Sequence, residues 1–395
     1  MPRPILSRWH VNTTRGAPAA AVIDPVGGHG GMEHYDSGLC RGLVSAGVDV
    51  ALYTSDTTLP PRTAGFAFHP SYRNIFGRSP AWKRAIRFLC GTISALTGCV
   101  REGRTICHFH FFGVGPLELL NVVLARLLAR KVVITAHDVE AFVSSQDVRG
   151  MPRLVYRMAH GVIAHNKVSQ QEVIERMGVP ERRTAIIPHG NYQDAIPSRP
   201  TQEESRRALG LPLYGRALLF FGQIKEVKGL DVLLTAMPAI LAAHPDTYLV
   251  IAGRPWKTDF RRYQNLIDGL GFGARCHPRI RYIRDDEVPL YYQACDLVVL
   301  PYRRIYQSGV VLLAMSLGKA VLTSDIPGMT DMIVDGETGF LFRSGESEDL
   351  ATSVNRALGS PDLMGAVARR GLDLALRKHN WDDIGRLTAA FYRGI

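Results

Sequence analysis

Residues 19–33 read AAAVIDPVGGHGGME, and this stretch decides how the first half of the chain folds. Ala19–Asp24 is an apolar run of strand length that ends in a glycine-rich turn, and residues 33–46 continue with helical spacing of their apolar side chains. The glycines let the backbone approach a phosphate, and the start of a helix offers free N–H groups to an anion. The spacing is not Gly-x-Gly-x-x-Gly, so a tight turn and a ligand loop are both open interpretations.

Short apolar strands and helical stretches alternate along the chain in two series, separated by a proline-containing linker at residues 191–202. The first series of strands is predicted at residues 19–24, 48–54, 105–111, 131–136, 161–164 and 184–188. The second series is predicted at residues 217–221, 248–253, 280–283, 297–301, 320–324 and 339–342. Such alternation predicts parallel sheets covered by helices on both faces. We therefore expect an α/β protein with two Rossmann-like, doubly wound domains that face a cleft.

The composition is that of a globular protein with a basic first half. The chain has 395 residues and a net charge of +11, and residues 1–200 hold 23 Lys and Arg against 14 Asp and Glu. The six cysteines are scattered, without zinc-site spacing, which is typical of reduced thiols in a cytosolic protein. No apolar run reaches the roughly 18 residues of a membrane span, and no signal-peptide core is present. We expect a cytoplasmic protein, soluble or peripheral on the membrane.

Two loops of the second half have the residues that bind a diphosphate. Residues 221–229 read FGQIKEVKG and carry Lys225 and Lys228 around a glycine turn that opens a helix. Residues 301–309 read PYRRIYQSG and precede an apolar helix, whose start is another anion site. An ordinary surface turn and a buried helix entering the sheet are the alternatives for these two loops.

An ordered set of motifs along almost the whole chain resembles one family. The motifs are Gly30-Gly31, Ile134-Thr-Ala-His137-Asp138, Val162-Ile-Ala-His165, Ile187-Pro-His189-Gly190, Gly222-x5-Lys228-Gly229, Ala294-Cys-Asp296-Leu-Val-Val-Leu-Pro301, Ala314-Met315-x-x-Gly318-Lys-Ala-Val, Asp335-Gly-x-Thr-Gly339 and Asn380-Trp-Asp. Together they resemble the nucleotide-sugar glycosyltransferases of GT-B architecture in the family-four group. The resemblance implies an N-terminal acceptor-binding domain at residues 1–205, a C-terminal donor-binding domain at residues 206–375, and a final helix at residues 376–395 that crosses back to the first domain.

The resemblance also implies the function and the site. We expect a hexosyltransferase that moves a sugar from a UDP- or GDP-sugar to a glycan or lipid-linked acceptor in polysaccharide or glycolipid assembly, with retention of anomeric configuration. The residues expected to bind the donor are Gly30, Gly31, Gln223, Lys225, Lys228, Gly253, Ile283, Arg284, Tyr306, Ser308, Gly309 and Val310. His29, Glu33 and Asp138 are expected on the acceptor side, and His137 and Gln307 are the catalytic candidates. No Asp-x-Asp motif is present where the donor would bind, so we expect neither a metal nor another cofactor.

Two departures from the family pattern concern the donor site. Gln223 stands where the family usually has arginine, and Lys225 is the nearest replacement for that charge. The Glu-x7-Glu signature is absent: one alignment puts Ile305 and Leu313 at the two positions, and another puts Tyr306 at the first. In the family the first glutamate contacts the sugar and the second the ribose. Gln307 and Ser308 are the nearest polar substitutes.

The histidines have both functional and structural interpretations. His137 follows a predicted strand and matches a family position near the reacting sugar, and a structural histidine is the alternative. His189 matches an interdomain position, and we favour a structural role for it. His108 and His110 alternate with Phe109 and Phe111 along a strand, so one residue type of this alternation is expected only to pack.

Two other classes of function remain open on the sequence. A non-catalytic sugar-nucleotide binder would fit the missing glutamates, and a nucleotide-sugar epimerase shares the two-domain architecture. A nucleic-acid partner is not expected, because the basic residues accompany no stacking platform or recognised module.

Residues 78–104 predict contact with an anionic membrane. Apolar side chains recur at helical spacing in this segment: Trp82, Ile86, Leu89, Ile93 and Leu96. The same segment has five cations and a single acid, Glu102. These cations are Lys83, Arg84, Arg87, Arg101 and Arg104. The pattern is typical of a helix in a bilayer interface, and a core-facing helix with a solvated basic side is the alternative. Gly91 and Gly98 suggest two shorter helices.

Overall fold

The computed structural model describes residues 17–29, 31–61, 65–137, 150–196, 199–305 and 308–395. The chain divides into two compact units. The N-terminal unit is Met1–Gly190 together with His379–Ile395, and the C-terminal unit is Asn191–Lys378. The divisions therefore lie near residues 190 and 378, whereas the sequence placed them near 205 and 375.

The N-terminal unit is built on a parallel sheet of seven strands. They are β1 (Ala19–Asp24), β2 (Asp49–Ser55), β3 (Ala67–Tyr72), β4 (Ile106–Phe111), β5 (Lys131–Ala136), β6 (Gly161–Ala164) and β7 (Thr184–Ile186). Their order is β3-β2-β1-β4-β5-β6-β7, and β1 pairs in parallel with both β2 and β4. The apolar run Ala20–Ile23 is fully buried because β1 lies in the middle of this sheet, under helices on both faces.

The described residues of this unit form six helices. They are α1 (Met32–Ser45), α2 (Ala81–Arg101), α3 (Pro116–Leu127), α4 (Gly150–Met158), α5 (Lys167–Glu175) and, from the end of the chain, α14 (Trp381–Gly394). Helices α1 and α14 touch through small residues: a Cβ on Gly42 would lie 2.1 Å from the carbonyl oxygen of Trp381. The Asn380 carboxamide starts α14 by accepting hydrogen bonds from the amides of Asp382 (2.8 Å) and Asp383 (3.4 Å).

The C-terminal unit is built on a parallel sheet of six strands. They are β8 (Arg216–Phe221), β9 (Thr247–Ala252), β10 (Cys276–Arg279), β11 (Leu297–Leu300), β12 (Ala320–Ser324) and β13 (Phe340–Phe342), in the order β10-β9-β8-β11-β12-β13. Its helices are α6 (Gln202–Leu209), α7 (Leu230–Ala243), α8 (Arg261–Gly269), α9 (Val288–Ala294), α10 (Gly309–Ser316), α11 (Pro327–Thr330), α12 (Ser347–Leu358) and α13 (Pro361–Lys378). Apolar cores lie on both faces of the sheet.

Most predicted strands are confirmed, with two differences at sheet edges. Strand β3 was not predicted, because Ala67–Tyr72 contains Pro70 and is only half-buried along most of its length. Strand β10 is Cys276–Arg279, so the prediction of a strand at residues 280–283 was wrong. Among the described helices, none is long and apolar enough to span a bilayer.

In each unit the chain reverses its direction of travel across the sheet at one point. That point lies between β1 and β4 in the N-terminal unit and between β8 and β11 in the C-terminal unit. The loops that leave the carboxyl ends of these two neighbouring strands turn to opposite faces of the sheet, which leaves a crevice for a ligand. Ligand-binding residues of each unit are therefore expected around its own crevice.

Candidate functional site

The crevice of the C-terminal unit is shaped by close backbone contacts at glycines. Gly253, after β9, has φ 152°, and a Cβ there would lie 1.8 Å from the carbonyl oxygen of Gly222. Gly222, after β8, has φ 109°, and a Cβ on it would lie 3.6 Å from Cγ2 of Val310. Gln223 follows as an exposed residue. The end of β8, the end of β9 and the start of α10 therefore lie together.

The two lysines of the first loop point to different neighbours. Lys228 ends a short 3₁₀ helix, Glu226–Lys228, and its Nζ lies 3.7 Å from the centroid of the Tyr302 ring. The Nζ of Lys225 lies 5.9 Å from the ring centroid of Trp256. Gly229 (φ 64°) cannot be replaced without strain, because its Cβ would lie 1.8 Å from the carbonyl oxygen of Pro301. This contact holds Lys228 against the loop that follows β11.

Helix α10 presents its first turn at the same crevice. The Ser308 hydroxyl accepts a hydrogen bond from the amide of Val311 (3.3 Å), so the side chain caps the helix. A Cβ on Gly309 would lie 2.8 Å from the hydroxyl of Tyr192, and five of the eight residues of the helix are buried. The free amides at the start of α10 are thus the groups that this loop offers to an anion. The predicted residues Tyr306 and Gln307 lie outside the described residues.

Ile283 and Arg284, which were expected to bind the donor, contact other residues of the protein in this structure. Ile283 is buried in the apolar core on one face of the sheet. Arg284 is exposed and forms an ion pair with Asp286, with Nε 3.0 Å from the carboxylate. Both residues lie beyond the end of β10, at the far edge of the sheet.

In the N-terminal unit the glycine loop after β1 is a tight turn. The carboxylate of Asp24 accepts hydrogen bonds from the amides of Val26 (2.9 Å) and Gly27 (3.2 Å). A Cβ on Gly27 (φ 59°) would lie 2.2 Å from the hydroxyl of Ser55. The loop therefore needs its first glycine in order to pack against the end of β2.

The acceptor-side candidates lie around the start of α1. Gly31 is left-handed (φ 83°) and precedes the helix, whose first turn carries Glu33. The His29 ring contacts Phe76 edge to face, with centroids 4.4 Å apart. The candidates Gly30 and Asp138 lie outside the described residues.

His137 belongs to a cluster of histidines around Tyr35. The Tyr35 ring contacts the rings of His110, His137, His165 and His189. Nδ1 of His165 donates to the carbonyl of Ile187 (2.9 Å), so its Nε2 accepts, at 3.4 Å, from Nδ1 of His137. Nε2 of His137 then carries a lone pair and has no hydrogen-bond partner among the described residues.

Burial keeps these histidines neutral. It lowers the pKa of His110 and of His165 to about 4 and that of His189 to about 3, and it also lowers the pKa of His137. Neighbouring histidines lower the pKa of His137 further, because each would repel its positive charge. His137 is therefore suited to accept a hydrogen bond and is not a cation at neutral pH.

A buried acid–histidine group, Asp24, Asp36 and His110, was missed in the sequence. Nδ1 of His110 lies 2.9 Å from the carboxylate of Asp36, and both side chains are fully buried. Burial raises the pKa of Asp36 to about 8, and burial and the charge of Asp36 raise the pKa of Asp24. Asp36 lies within a helix 74 residues from His110, so no local motif could reveal the pair.

Along β4, both histidines and both phenylalanines are buried. His108 is hydrogen-bonded on both nitrogens, to Tyr392 and Thr135, each at 2.7 Å, which is a structural arrangement. Phe109 and Phe111 stack on the other face of the strand, with centroids 5.6 Å apart. The alternation along β4 thus separates a polar face from an apolar face.

The crevice of the N-terminal unit contains a pocket of about 550 Å³. It lies where the loops after β1 and β4 separate, between α2 and α3. Its wall is mainly apolar, with Ile75, Phe88 and Leu117 among its residues, and His110 also contributes. The volume is within the range of small-molecule sites.

Comparisons with known proteins agree with these two units. Residues 29–191 match the model of Glycosyltransferase Family 4, and residues 201–371 match that of Glycosyl transferases group 1. A D-inositol 3-phosphate glycosyltransferase of Acidothermus cellulolyticus is 26% identical over 403 residues, which cover 94% of this chain and 87% of the relative.

Two solved structures show the same fold. The sucrose-phosphate synthase of Thermosynechococcus elongatus has a TM-score of 0.73 at 21% identity and covers 95% of this chain and 98% of its own. Anabaena HepE in complex with UDP-glucose has a TM-score of 0.70 at 19% identity and covers 94% of this chain and 98% of its own. The two family models between them take in most of the chain, one on each unit, and the chain is accordingly a glycosyltransferase of the GT-B, family-four-like group.

Proposed function

We propose that the protein transfers a hexose from a UDP- or GDP-sugar to a glycan or lipid-linked acceptor, in the assembly of a polysaccharide or glycolipid. The observation that carries this proposal is the crevice of the C-terminal unit. There, Lys228 is held against the loop after β11, beside the free amides at the start of α10. A nucleoside diphosphate has the charge and the oxygen acceptors that such groups bind.

The proposed chemistry is electrostatic stabilisation of the leaving diphosphate. Negative charge develops on its oxygens as the bond to the sugar breaks, and donors already fixed in place stabilise that charge most effectively. Lys228 and the amides of Gly309 and Val310 are assigned this role. Anabaena HepE, of the same fold, binds UDP-glucose, which supports a uridine nucleotide as the first donor to test.

The role of the lost glutamates is assigned to other groups of the chain. The Ser308 hydroxyl caps α10, so its side chain is committed to the helix and its contribution would come through the backbone. We assign the sugar contact to Gln307 and propose that Nε2 of His137 accepts a hydrogen bond from a sugar hydroxyl. We also propose that transfer retains the anomeric configuration of the sugar, because the resemblance to the family implies it.

We further propose that transfer needs no metal. In this proposal, Lys228 and the amides at the start of α10 supply the positive charge that the diphosphate requires. Addition of EDTA should then leave the rate unchanged. A rate that falls with EDTA and returns with Mg²⁺ or Mn²⁺ would contradict this part of the proposal.

Helix α2 supports a membrane-bound acceptor. It is one continuous helix, since Gly91 and Gly98 allow close packing on Tyr72 and Tyr53 and do not break it. Four large apolar side chains remain exposed on it: Trp82 by 62%, Ile86 by 52%, Ile93 by 57% and Val100 by 43%. The helix carries no acidic residue. An apolar stripe beside cations suits the interface of an anionic bilayer.

Two of the cations counted in the sequence have other partners. Arg104 is buried and forms ion pairs with Asp49 and Glu102, each at 2.9 Å. Arg87 donates to the carbonyl of Asn74 (3.0 Å) and the hydroxyl of Ser79 (3.2 Å), and so fixes the loop before the helix. The proposed membrane contact therefore depends mainly on Lys83 and Arg101, because Arg84 lines a pocket. We propose that the protein lies peripherally on the cytoplasmic face of the membrane.

The test is a thermal-shift screen of UDP-, GDP- and ADP-sugars, followed by assay of donor turnover. A ligand that binds only the folded protein raises the midpoint of unfolding, by an amount set by its concentration relative to Kd. A bound donor whose sugar is transferred or slowly hydrolysed supports the proposal. Binding without turnover would indicate a sugar-nucleotide binder, and formation of an epimeric donor would indicate an epimerase.

A further inference from the structure

The pocket of the N-terminal unit has an unusual wall for a protein that handles sugars. Its residues come from the loops after β1 and β4, from α2 with the loop before it, and from α3. They include Ile75, Phe88, Phe112 and Leu117 as well as Arg84 and Asn121. Most are apolar or aromatic. Burying sugar hydroxyls against such a wall would cost free energy, because few of them would find partners.

Three polar atoms on residues of this wall are buried and lack hydrogen-bond partners among the described residues. They are Nε of Arg84, Nδ2 of Asn121 and Nε2 of His110. Asn121 is 1% exposed, and its oxygen already accepts from the hydroxyl of Thr92 (2.6 Å), so the amide nitrogen is the end left for a ligand. Buried polar atoms normally have partners, and two of these three belong to obligate donors.

The one carboxylate of the wall is already engaged. Glu118 accepts from the amide of Gly115 (2.8 Å) and closes the first turn of α3, and burial raises the pKa of this group. Because the Glu118 carboxylate accepts from the backbone, the Arg84 guanidinium is the charged group among the described wall residues that can bind a ligand. The pocket thus combines an apolar body with a positive group and an amide donor.

We propose that this pocket binds an anionic amphiphile, with its apolar chain against Ile75, Phe88 and Leu117 and its phosphate on Arg84 and Asn121. The amphiphile is the lipid end of the acceptor, so this inference rests on the proposed transfer function. A nucleotide fits the wall less well, because it would bring several charges and a polar base to one arginine. A chain of the prenyl or acyl type gains free energy with each CH₂ group that it buries against such a wall.

The position of the pocket on α2 agrees with this ligand. The helix contributes Ala81, Arg84, Ala85 and Phe88 to the wall, while Trp82 of the same first turns is exposed. One helix therefore serves two surfaces, an exposed stripe suited to a bilayer and an inner face suited to a lipid taken from it. This arrangement makes the pocket separable by mutation from the exposed stripe.

The experiment is isothermal titration of the full chain with farnesyl phosphate. Farnesol and inorganic phosphate are titrated separately, to measure each half of the amphiphile alone. We expect farnesyl phosphate to bind and each half to bind at least about tenfold more weakly. Arg84→Gln should weaken farnesyl phosphate by about tenfold, since it removes a charge-assisted hydrogen bond. Ala85→Phe should weaken both farnesyl phosphate and farnesol, because it fills the pocket.

The matched control is Lys83→Gln, which removes the neighbouring charge outside the wall and should leave this titration unchanged. Far-UV circular dichroism checks that each variant is folded. Equal affinity of the parent and Ala85→Phe, or no binding of farnesyl phosphate to a folded parent, would overturn the inference. If the same preparation still binds a nucleotide sugar in the thermal-shift screen, the proposed transfer function stands.

A last arm distinguishes the source of the lipid. Short-chain phosphatidylglycerol is titrated under the same conditions. Tighter binding of farnesyl phosphate assigns the pocket to a lipid-phosphate acceptor, as proposed. Tighter binding of phosphatidylglycerol would show that the pocket holds a bilayer lipid and would overturn the acceptor assignment.

Discussion

The Asp36 carboxylate lies 2.9 Å from Nδ1 of His110, and both side chains are completely buried under the crevice of the N-terminal unit. Asp36→Ala should leave Nδ1 of His110 without its partner. We expect a loss of about 1–3 kcal/mol in the free energy of unfolding, the cost of a buried polar atom left unsatisfied. Urea denaturation measures it. Ser37→Ala, on the next residue of α1, is the control, and an equal loss in both variants would contradict the importance of the pair.

The buried histidines predict loss of stability in acid. Burial lowers the pKa of His110, His165 and His189 to about 3–4, whereas an unfolded histidine has a pKa of about 6.5. Between these values the unfolded chain binds more protons, so their contribution is complete above pH 6.5 and is lost as the pH falls to about 4. The raised pKa of Asp36, about 8, acts oppositely, since its burial costs stability as the pH rises from about 4 to 8.

The lowered pKa of His137 acts with the three histidines, and the raised pKa of Asp24 acts with Asp36. With four histidines against two carboxyls, we expect the free energy of unfolding to fall from about pH 6.5 to about 4.5. Urea titrations at several pH values measure the slope. His189→Gln should make it shallower, because one protonation site of the unfolded chain is removed. An unchanged slope in this variant would show that the histidine is not titrating as described.

Lys228→Ala tests the proposed contact between Lys228 and the diphosphate of the donor. Loss of a charge-assisted contact should weaken donor binding or the transition state by about 1.5–3 kcal/mol. Calorimetry with the donor found in the screen, and its turnover rate, measure the two effects. Lys378→Ala removes an exposed lysine at the end of α13 and should change neither. Turnover by Lys228→Ala at the parental rate would contradict the assignment.

Gln307→Ala tests the replacement of the missing glutamates. If Gln307 holds the transferred sugar, kcat/KM should fall by one to two orders of magnitude, about 1.4–2.8 kcal/mol. The thermal shift given by UDP alone should not change, because UDP has no sugar to be held in this way. Full activity would mean that the sugar is held elsewhere.

Cys90 offers a direct probe of membrane docking. It is the exposed cysteine of the described chain, four residues after Ile86 and three before Ile93 on the same stripe of α2. A polarity-sensitive fluorophore attached there should shift to the blue with vesicles containing anionic lipid, and the shift should weaken with salt. Lys83→Glu with Arg101→Glu should reduce it. The same response to neutral and anionic vesicles, or none to either, would leave α2 a solvated helix.

The sequence by itself determined the two-domain architecture and the positions of most strands. Runs such as Ala19–Asp24 and Leu297–Leu300 are apolar without alternation, which is typical of parallel strands buried on both faces. The glycines after them mark where the backbone must turn or approach closely, and these are local constraints that a linear pattern records. The edge strands β3 and β10 were not predicted, because each contains a proline, Pro70 or Pro278, and each is only partly buried.

Only the tertiary structure decided what the side chains do. Asp36 meets His110, and Lys228 meets Tyr302, across 74 residues in each case, because neighbouring parallel strands bring distant loops to one edge of a sheet. The Ser308 hydroxyl caps helix α10, Arg104 is buried and forms ion pairs, and Trp82 is exposed although it is apolar. Each outcome depends on which group lies opposite in three dimensions, and that information is absent from spacing along the chain.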